Sequence, residues 1–116
     1  MSAATPAEED NADLPVIDLD HLANFTDGER ALEAELAGLY ATSAARYLAD
    51  MAAALEAGAS WARPVHALKG ASSNFGACRV ARLARAAEHR PPDADRLAAM
   101  QSAVAEVNAF FRGRGP

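Results

Sequence analysis

The stretch SWARPVHALKGASSNFG, residues 60–76, predicts the element on which the fold depends. Ser60 is a suitable N-cap, and Pro64 falls near the first turn, where a missing N–H costs least. On a helical wheel of about 100° per residue, one side of this stretch forms the buried face. That face consists of Trp61, Pro64, Val65, Leu68, Ser72 and Phe75. His66 lies opposite, so we expect a helix ending near Gly76 whose histidine is exposed to solvent.

Two helices are expected before this stretch. A short one covers residues 18–24, and a longer one begins at Thr26 or Asp27, which are good N-cap residues. Thr42 or Ser43 is expected to interrupt the longer helix and to cap its continuation. The continuation ends at a glycine in the usual C-terminal position.

Two further helices are expected after Gly76. The first is stopped by the sequence HRPP at residues 89–92, and Asp93 caps the second. No run of alternating β-branched residues predicts a strand. Four substantial helical stretches joined by short loops predict an all-α fold. We expect an antiparallel up-down four-helix bundle with a short extra N-terminal helix.

The predicted core follows from the apolar stripes of these helices. Its members are Leu32, Leu36, Leu39, Tyr40, Tyr47, Leu48, Met51, Leu55, Val80, Leu83, Ala84, Ala87, Leu97, Met100, Val104, Val107 and Phe111. The last stripe is interpreted as core rather than as a cofactor site.

Composition limits the possible functions of the 116-residue chain. A net charge of −5 argues against a sequence-independent nucleic-acid binder, which needs a basic surface. The apolar runs are too short for a membrane-spanning helix, and a single cysteine permits no intrachain disulfide. We expect a cytoplasmic protein with an acidic, disordered tail over residues 1–14 and one domain over residues 15–116.

The exposed face of the predicted helix carries the chemistry. Lys69, three residues after His66, can reach a group attached to the imidazole. Gly70 lies within the helix, where glycine costs ~1 kcal/mol relative to alanine. Because helical side chains lean toward the N-terminus, a side chain at position 70 would lie over His66. This pattern indicates an exposed nucleophile with a cation beside it, no acidic residue on the same stripe, and space for a bulky partner. The alternatives are an ordinary surface histidine and a neighbouring helix packed closely on Gly70.

These residues resemble the motif of the histidine-containing phosphotransfer (HPt) domain family, His-x-Leu-Lys-Gly-x-Ser-x-x-x-Gly. Here the motif reads HALKGASSNFG over residues 66–76, and all six specified positions match. The resemblance extends over about residues 15–113. Its departures are small: Val80 stands where leucine is common, and Ala87-Glu88 replaces Leu-Glu.

The resemblance implies a four-helix bundle in which Nε2 of His66 carries a phosphoryl group to and from receiver-domain aspartates. It implies that Lys69 supports the phosphohistidine, that Gly70 provides clearance, and that Ser72 and Gly76 serve helix packing and the turn. The partners it implies are response-regulator receiver domains and a hybrid histidine kinase. The receiver would supply Mg²⁺, so no cofactor is expected in this chain, and four helices can close a bundle as a monomer.

Partner docking is assigned to side chains near the motif. Arg63 and Ser73 lie close to His66 on the predicted helix, and Arg79 and Arg82 lie away from the apolar face of the next one. An ordinary solvated basic face is the alternative for the last two. Isolated apolar residues of the short first helix, Leu22 or Phe25, are further candidates for this docking surface.

Two other function classes compete with this interpretation. One is a helical adaptor that binds a receiver domain or another regulator without being phosphorylated. The other is an enzyme, but the sequence has no Gly-rich nucleotide loop, no Walker lysine and no carboxylate cluster for Mg²⁺. A phosphocarrier without autonomous kinase activity is therefore favoured.

Overall fold

The computed structural model describes residues 13–114 of the chain. Five α-helices and no strand occur in this range, so the predicted all-α class is confirmed. The helices are α1 (Leu19–Thr26), α2 (Arg30–Ala57), α3 (Ala62–Phe75), α4 (Cys78–Ala87) and α5 (Ala94–Arg114). Residues 1–12, which make up most of the acidic tail predicted for residues 1–14, lie outside the described residues. Residues 115–116 also lie outside them.

The four longer helices each contact two of the others. Helix α2 packs against α3 and α5, and α4 also packs against α3 and α5, while α1 rests on α2. Met51, Leu68, Val80, Met100 and Val107, which come from all four helices, are fully buried between them. Helix α3 is therefore supported on two sides by α2 and α4, and its remaining side faces solvent. None of these helices is long and apolar enough to span a membrane, as far as residues 13–114 are concerned.

Helix α2 differs from its prediction at two points. It begins at Arg30 with Glu29 as the N-cap residue, whereas Thr26 ends α1 and Asp27 is that helix's left-handed C-cap. It also continues without a break to residue 57. The hydroxyl of Thr42 donates to the carbonyl of Gly38 at 3.1 Å, so it is satisfied inside the helix rather than capping a new one.

The predicted core is confirmed for α4 and for most of α5. In α2 the predicted burial of Leu39 is wrong, because 62% of this residue is exposed. Phe111 is half-buried against the core rather than inside it. Leu39 lies at a groove lined by residues of α1, α2 and α3, where no helix of the described chain covers it.

A buried hydrogen bond fixes how α3 is rotated against α2. The hydroxyls of Tyr40 and Ser72 lie 2.7 Å apart, and the Tyr40 ring stacks on Phe75 with 4.8 Å between centroids. Burial raises the pKa of Tyr40 to about 12, so this hydroxyl stays neutral in the core. Because Ser72 faces inward, the opposite side of α3, which carries His66, faces outward.

The chain ahead of α1 packs against the turn between α3 and α4. The amide of Asp18 donates to the carbonyl of Gly76 at 2.8 Å, and Nε2 of His21 donates to the carbonyl of Asn74 at 2.9 Å. His21 thus ties α1 to the turn between α3 and α4, and it is half-buried there. Gly76 adopts φ +91°, and a Cβ there would lie 3.0 Å from the carbonyl oxygen of Asp18.

An ion pair joins the start of α2 to the end of α5. The carboxylate of Glu33, near the start of α2, is buried and accepts from the guanidinium of Arg114 at the end of α5. Arg30 donates to the carbonyl of Arg114 at 3.2 Å. An ionised carboxylate that is buried needs such a partner. The pair therefore holds α2 and α5 together at this end.

Replacing Gly76 with alanine tests the importance of this turn. We expect Gly76→Ala to lower the free energy of unfolding by more than the ~1–2 kcal/mol cost of a left-handed alanine, because the new methyl group also contacts Asp18. Gly58→Ala is the matched control: Gly58 has φ +65°, and a methyl group added there would have no atom within 4 Å. Urea unfolding of both variants measures the difference, and equal losses would contradict the proposed close contact.

Candidate functional site

Helix α3 presents His66 to solvent. Its side chain is 70% exposed, whereas the flanking Val65 and Leu68 are completely buried. Together with Trp61, Ser72 and Phe75, these residues form the buried face that the helical wheel predicts. The expected exposure of the imidazole is confirmed.

A carboxylate from the neighbouring helix binds the imidazole. Glu88 is the first residue after α4, and its Oε1 accepts a hydrogen bond from Nδ1 of His66. Its other oxygen, Oε2, accepts from Nζ of Lys69 at 2.6 Å. Only 11% of the Glu88 side chain is exposed, so this carboxylate lies in the cleft between α3 and α4.

The contact with Glu88 determines the tautomer of the imidazole. An ionised carboxylate only accepts hydrogen bonds, so Nδ1 must carry the proton. In the neutral ring the other nitrogen, Nε2, then keeps its lone pair. The arrangement therefore presents a nucleophilic nitrogen of His66 on the exposed side of α3.

The electrostatic surroundings keep Glu88 ionised. The hydrogen bond from Lys69, followed by the hydrogen bond from His66, lowers the pKa of Glu88 from 4.5 to about 2. Glu88 is therefore fully ionised at neutral pH and can serve as the acceptor for both side chains.

The pairing of Lys69 with Glu88 corrects one expectation from the sequence. No acidic residue lies on the exposed stripe of α3 itself, but Glu88, at the C-terminal end of α4, supplies a carboxylate across the cleft, so Lys69 is not an unpaired cation. The sequence contains a signal for this contact: His66 and Glu88 lie eleven residues before and after Ala77, which occupies the turn. Two antiparallel helices joined by a tight turn bring residues equidistant from that turn together.

Gly70 borders open space. A Cβ at this position would have no atom within 4 Å, so no neighbouring helix packs against Gly70 and that alternative is excluded. The helix bears the ~1 kcal/mol cost of an interior glycine without any packing contact that requires one.

The four residues assigned to docking fall into two groups. Arg63 and Ser73 are exposed on α3, as expected. Arg79 is half-buried, and it donates to the carbonyl of Leu14 at 2.6 Å and to Glu106 at 3.0 Å. Arg82 is half-buried and lines a groove that Ser73 also borders. Their contact with a partner stays a prediction.

The two apolar docking candidates of the first helix differ in exposure. Leu22 is buried, so its assignment to a docking surface is wrong, whereas 59% of Phe25 is exposed.

Cys78, the first residue of α4, donates to the carbonyl of Gly76 at 3.3 Å, and burial raises the pKa of its thiol. This favours a structural role for Cys78.

No group of three or more histidine, cysteine, aspartate or glutamate side chains between residues 13 and 114 is arranged to hold a metal ion. The polar side chains gathered near His66 are instead one carboxylate and one ammonium group, which bind to each other, and the carboxylate also binds the imidazole.

Comparison with protein families matches most of the chain to a known domain. The Hpt domain matches residues 35–110, about two thirds of the chain, and this range contains His66, Lys69 and Glu88. Comparisons with curated proteins and with solved structures give no significant match.

The depressed pKa of Glu88 gives a testable pH dependence. A carboxyl whose pKa is lowered by folding contributes stability that is complete above its ordinary value of 4.5 and is lost as the pH falls toward 2. We expect Lys69→Met to raise the pKa of Glu88 toward 4.5, because it removes the largest cause of the shift. Lys69→Arg, which keeps the charge, should preserve most of the shift. The ¹³C shift of the Glu88 carboxyl as a function of pH measures both, and an unchanged midpoint in Lys69→Met would contradict this assignment.

Proposed function

Because the chain belongs to the Hpt domain family, we propose that it carries a phosphoryl group on Nε2 of His66 in a phosphorelay. Receiver domains of response regulators and of a hybrid histidine kinase are the proposed donors and acceptors. The observation that carries the proposal is the hydrogen bond from Nδ1 of His66 to Glu88, which places the lone pair of the neutral ring on Nε2, on an exposed surface.

The proposed step is an in-line displacement at phosphorus. The Nε2 lone pair of His66 attacks the aspartyl phosphate of a docked receiver, a P–N bond forms, and the P–O bond to the aspartate breaks. The aspartate leaves as a carboxylate, so no proton has to move. The reverse step returns the phosphoryl group to a second aspartate. Positioning of the two groups supplies most of the catalysis, as is usual for phosphoryl transfer.

Glu88 assists this step through charge. When Nε2 bonds to phosphorus while Nδ1 keeps its proton, the imidazole ring becomes cationic. The ionised carboxylate of Glu88, already bonded to that N–H, stabilises the positive charge as it develops. Glu88 acts here as a positioning residue, since it touches the imidazole rather than the phosphoryl group.

Lys69 and Gly70 are proposed to serve the phosphorylated form. Lys69 lies one helical turn from His66, and its ammonium attracts the negative charge of the phosphoryl oxygens while remaining bonded to Glu88. The open space over Gly70 leaves room for the receiver to approach the imidazole.

The proposal includes further features that follow from the family. The four longer helices form an antiparallel up-down bundle, a design in which short loops join neighbouring helices. Hpt domains are phosphocarriers without kinase activity, so no autonomous kinase activity is proposed. A monomer in the cytoplasm that obtains Mg²⁺-assisted chemistry from its receiver partner fits this role.

Phosphorylation of His66→Gln tests the proposed site. We expect wild-type protein to gain one acid-labile, alkali-stable phosphoryl group from a phosphorylated receiver domain, and His66→Gln to gain none, because the amide is not nucleophilic. His21→Gln is the matched control and should be labelled like wild type, since the side chain of His21 bonds to the carbonyl of Asn74 rather than to Glu88, and a glutamine amide can still donate to that carbonyl.

The receiver for this test is chosen by profiling transfer against the receiver domains of the source organism. Labelling of His66→Gln at the wild-type level would contradict the assignment. A wild-type protein that binds a receiver but takes up no phosphate from it would instead support the alternative, a non-phosphorylated helical adaptor.

A further inference from the structure

A groove opens beside His66 where the loop before α3 meets the loop after α4. Gly58, Ala59, Ser60 and Ala62 line one wall and residues 88–92 line the other, and the volume of this open groove is about 510 Å³. The space exceeds what one side chain would fill, so a short segment of a partner chain could enter it.

The groove is continuous with the phosphorylation site. Glu88 lines the groove and also binds His66 and Lys69, so the two features share a side chain. Ala62, on the opposite wall, lies one helical turn before His66 on the same face of α3. Because helical side chains lean toward the N-terminus, the imidazole of His66 leans toward Ala62 and the mouth of the groove.

The walls combine small side chains with a fixed loop. Gly58, Ala59 and Ala62 place no long side chain in the groove, so the backbone of a partner can approach closely. The second wall is fixed through the backbone of Arg90, whose carbonyl accepts a hydrogen bond at 2.9 Å from the indole Nε1 of the buried Trp61. This bond anchors the backbone of the loop while the Arg90 side chain remains exposed.

The rim of the groove is positively charged. Arg90 lines the groove and is exposed, as is Arg63, which directly follows Ala62; within residues 13–114 neither side chain makes a hydrogen bond or ion pair. Glu88 is the one acidic residue among the described lining residues, and its charge is matched by Lys69. An approaching segment therefore meets unpaired positive charge next to the reactive nitrogen.

We propose that this groove binds an acidic segment of the receiver domain during phosphotransfer, with Arg90 as its principal charged contact. The inference rests on the proposed function and adds a specific docking site to it. Contacts of this kind at the edge of an interface act mainly on the association rate and on its dependence on salt. The groove thus steers the receiver so that its aspartyl phosphate meets Nε2 of His66.

Arg90→Ala tests the charged contact, and Arg112→Ala is the matched control because Arg112 is an exposed arginine at the far end of α5. The probe is the receiver domain that transfers fastest to the wild-type protein. At low ionic strength we expect Arg90→Ala to slow transfer about tenfold and to weaken receiver binding by a similar factor. At ~1 M salt, where the screening length is about 3 Å, the difference should nearly vanish.

Ala59→Trp tests the groove independently, because the indole would fill it without replacing any charged residue. This variant should slow transfer from the receiver at both salt concentrations. Phosphoramidate, a small phosphodonor that needs no docking, should label His66 at the wild-type rate in all three variants, and circular dichroism should show unchanged helix content.

The outcomes separate the two proposals. Equal transfer rates and receiver affinities for Arg90→Ala, Ala59→Trp and Arg112→Ala would overturn the docking site while leaving His66 as the phosphorylated residue. Failure of both phosphoramidate and the receiver to label the wild-type protein would overturn the proposed function. Receiver binding that still depends on Arg90 in that case would support the groove as the docking site of an adaptor.

Discussion

The carboxylate of Glu88 joins two helices at the point where the chain exposes His66. One oxygen accepts from Nδ1 of His66, and the other accepts from the ammonium of Lys69. The two hydrogen bonds keep the pKa of Glu88 near 2, and the resulting negative charge fixes the proton on Nδ1. An exposed histidine without this partner would exchange between tautomers, and Nε2 would be protonated for part of the time.

The rest of the fold holds these side chains in register. The buried hydrogen bond between Tyr40 and Ser72 sets the rotation of α3, so that the face opposite Ser72 points to solvent. The turn at Gly76, closed by the backbone of Asp18, then returns α4 along α3 and places Glu88 next to His66. The orientation of His66 therefore depends on contacts in the core as well as on the exposed stripe.

Much of this arrangement could be predicted from the sequence, because helical periodicity reports which residues of one helix share a face. That is why the exposure of His66 and the buried side of α3 were predicted correctly. Periodicity carries no information on contacts between helices, so Glu88 was missed, although its spacing from the turn at Ala77 was a usable signal. A threonine or serine hydroxyl can bond either to the backbone at a helix start or to a carbonyl one turn earlier within a helix, so the predicted break in α2 at Thr42 was wrong.

The tautomer of His66 tests the role of Glu88 most directly, and ¹⁵N NMR of the imidazole ring measures it. At a pH where the ring is neutral, we predict a protonated Nδ1 and an unprotonated Nε2 in the wild-type protein. We also predict that Glu88→Ala shifts the ring toward a protonated Nε2, while Glu88→Gln, which keeps an acceptor, retains more of the wild-type pattern. A wild-type ring with its proton on Nε2, or identical spectra for the wild type and Glu88→Ala, would contradict this role.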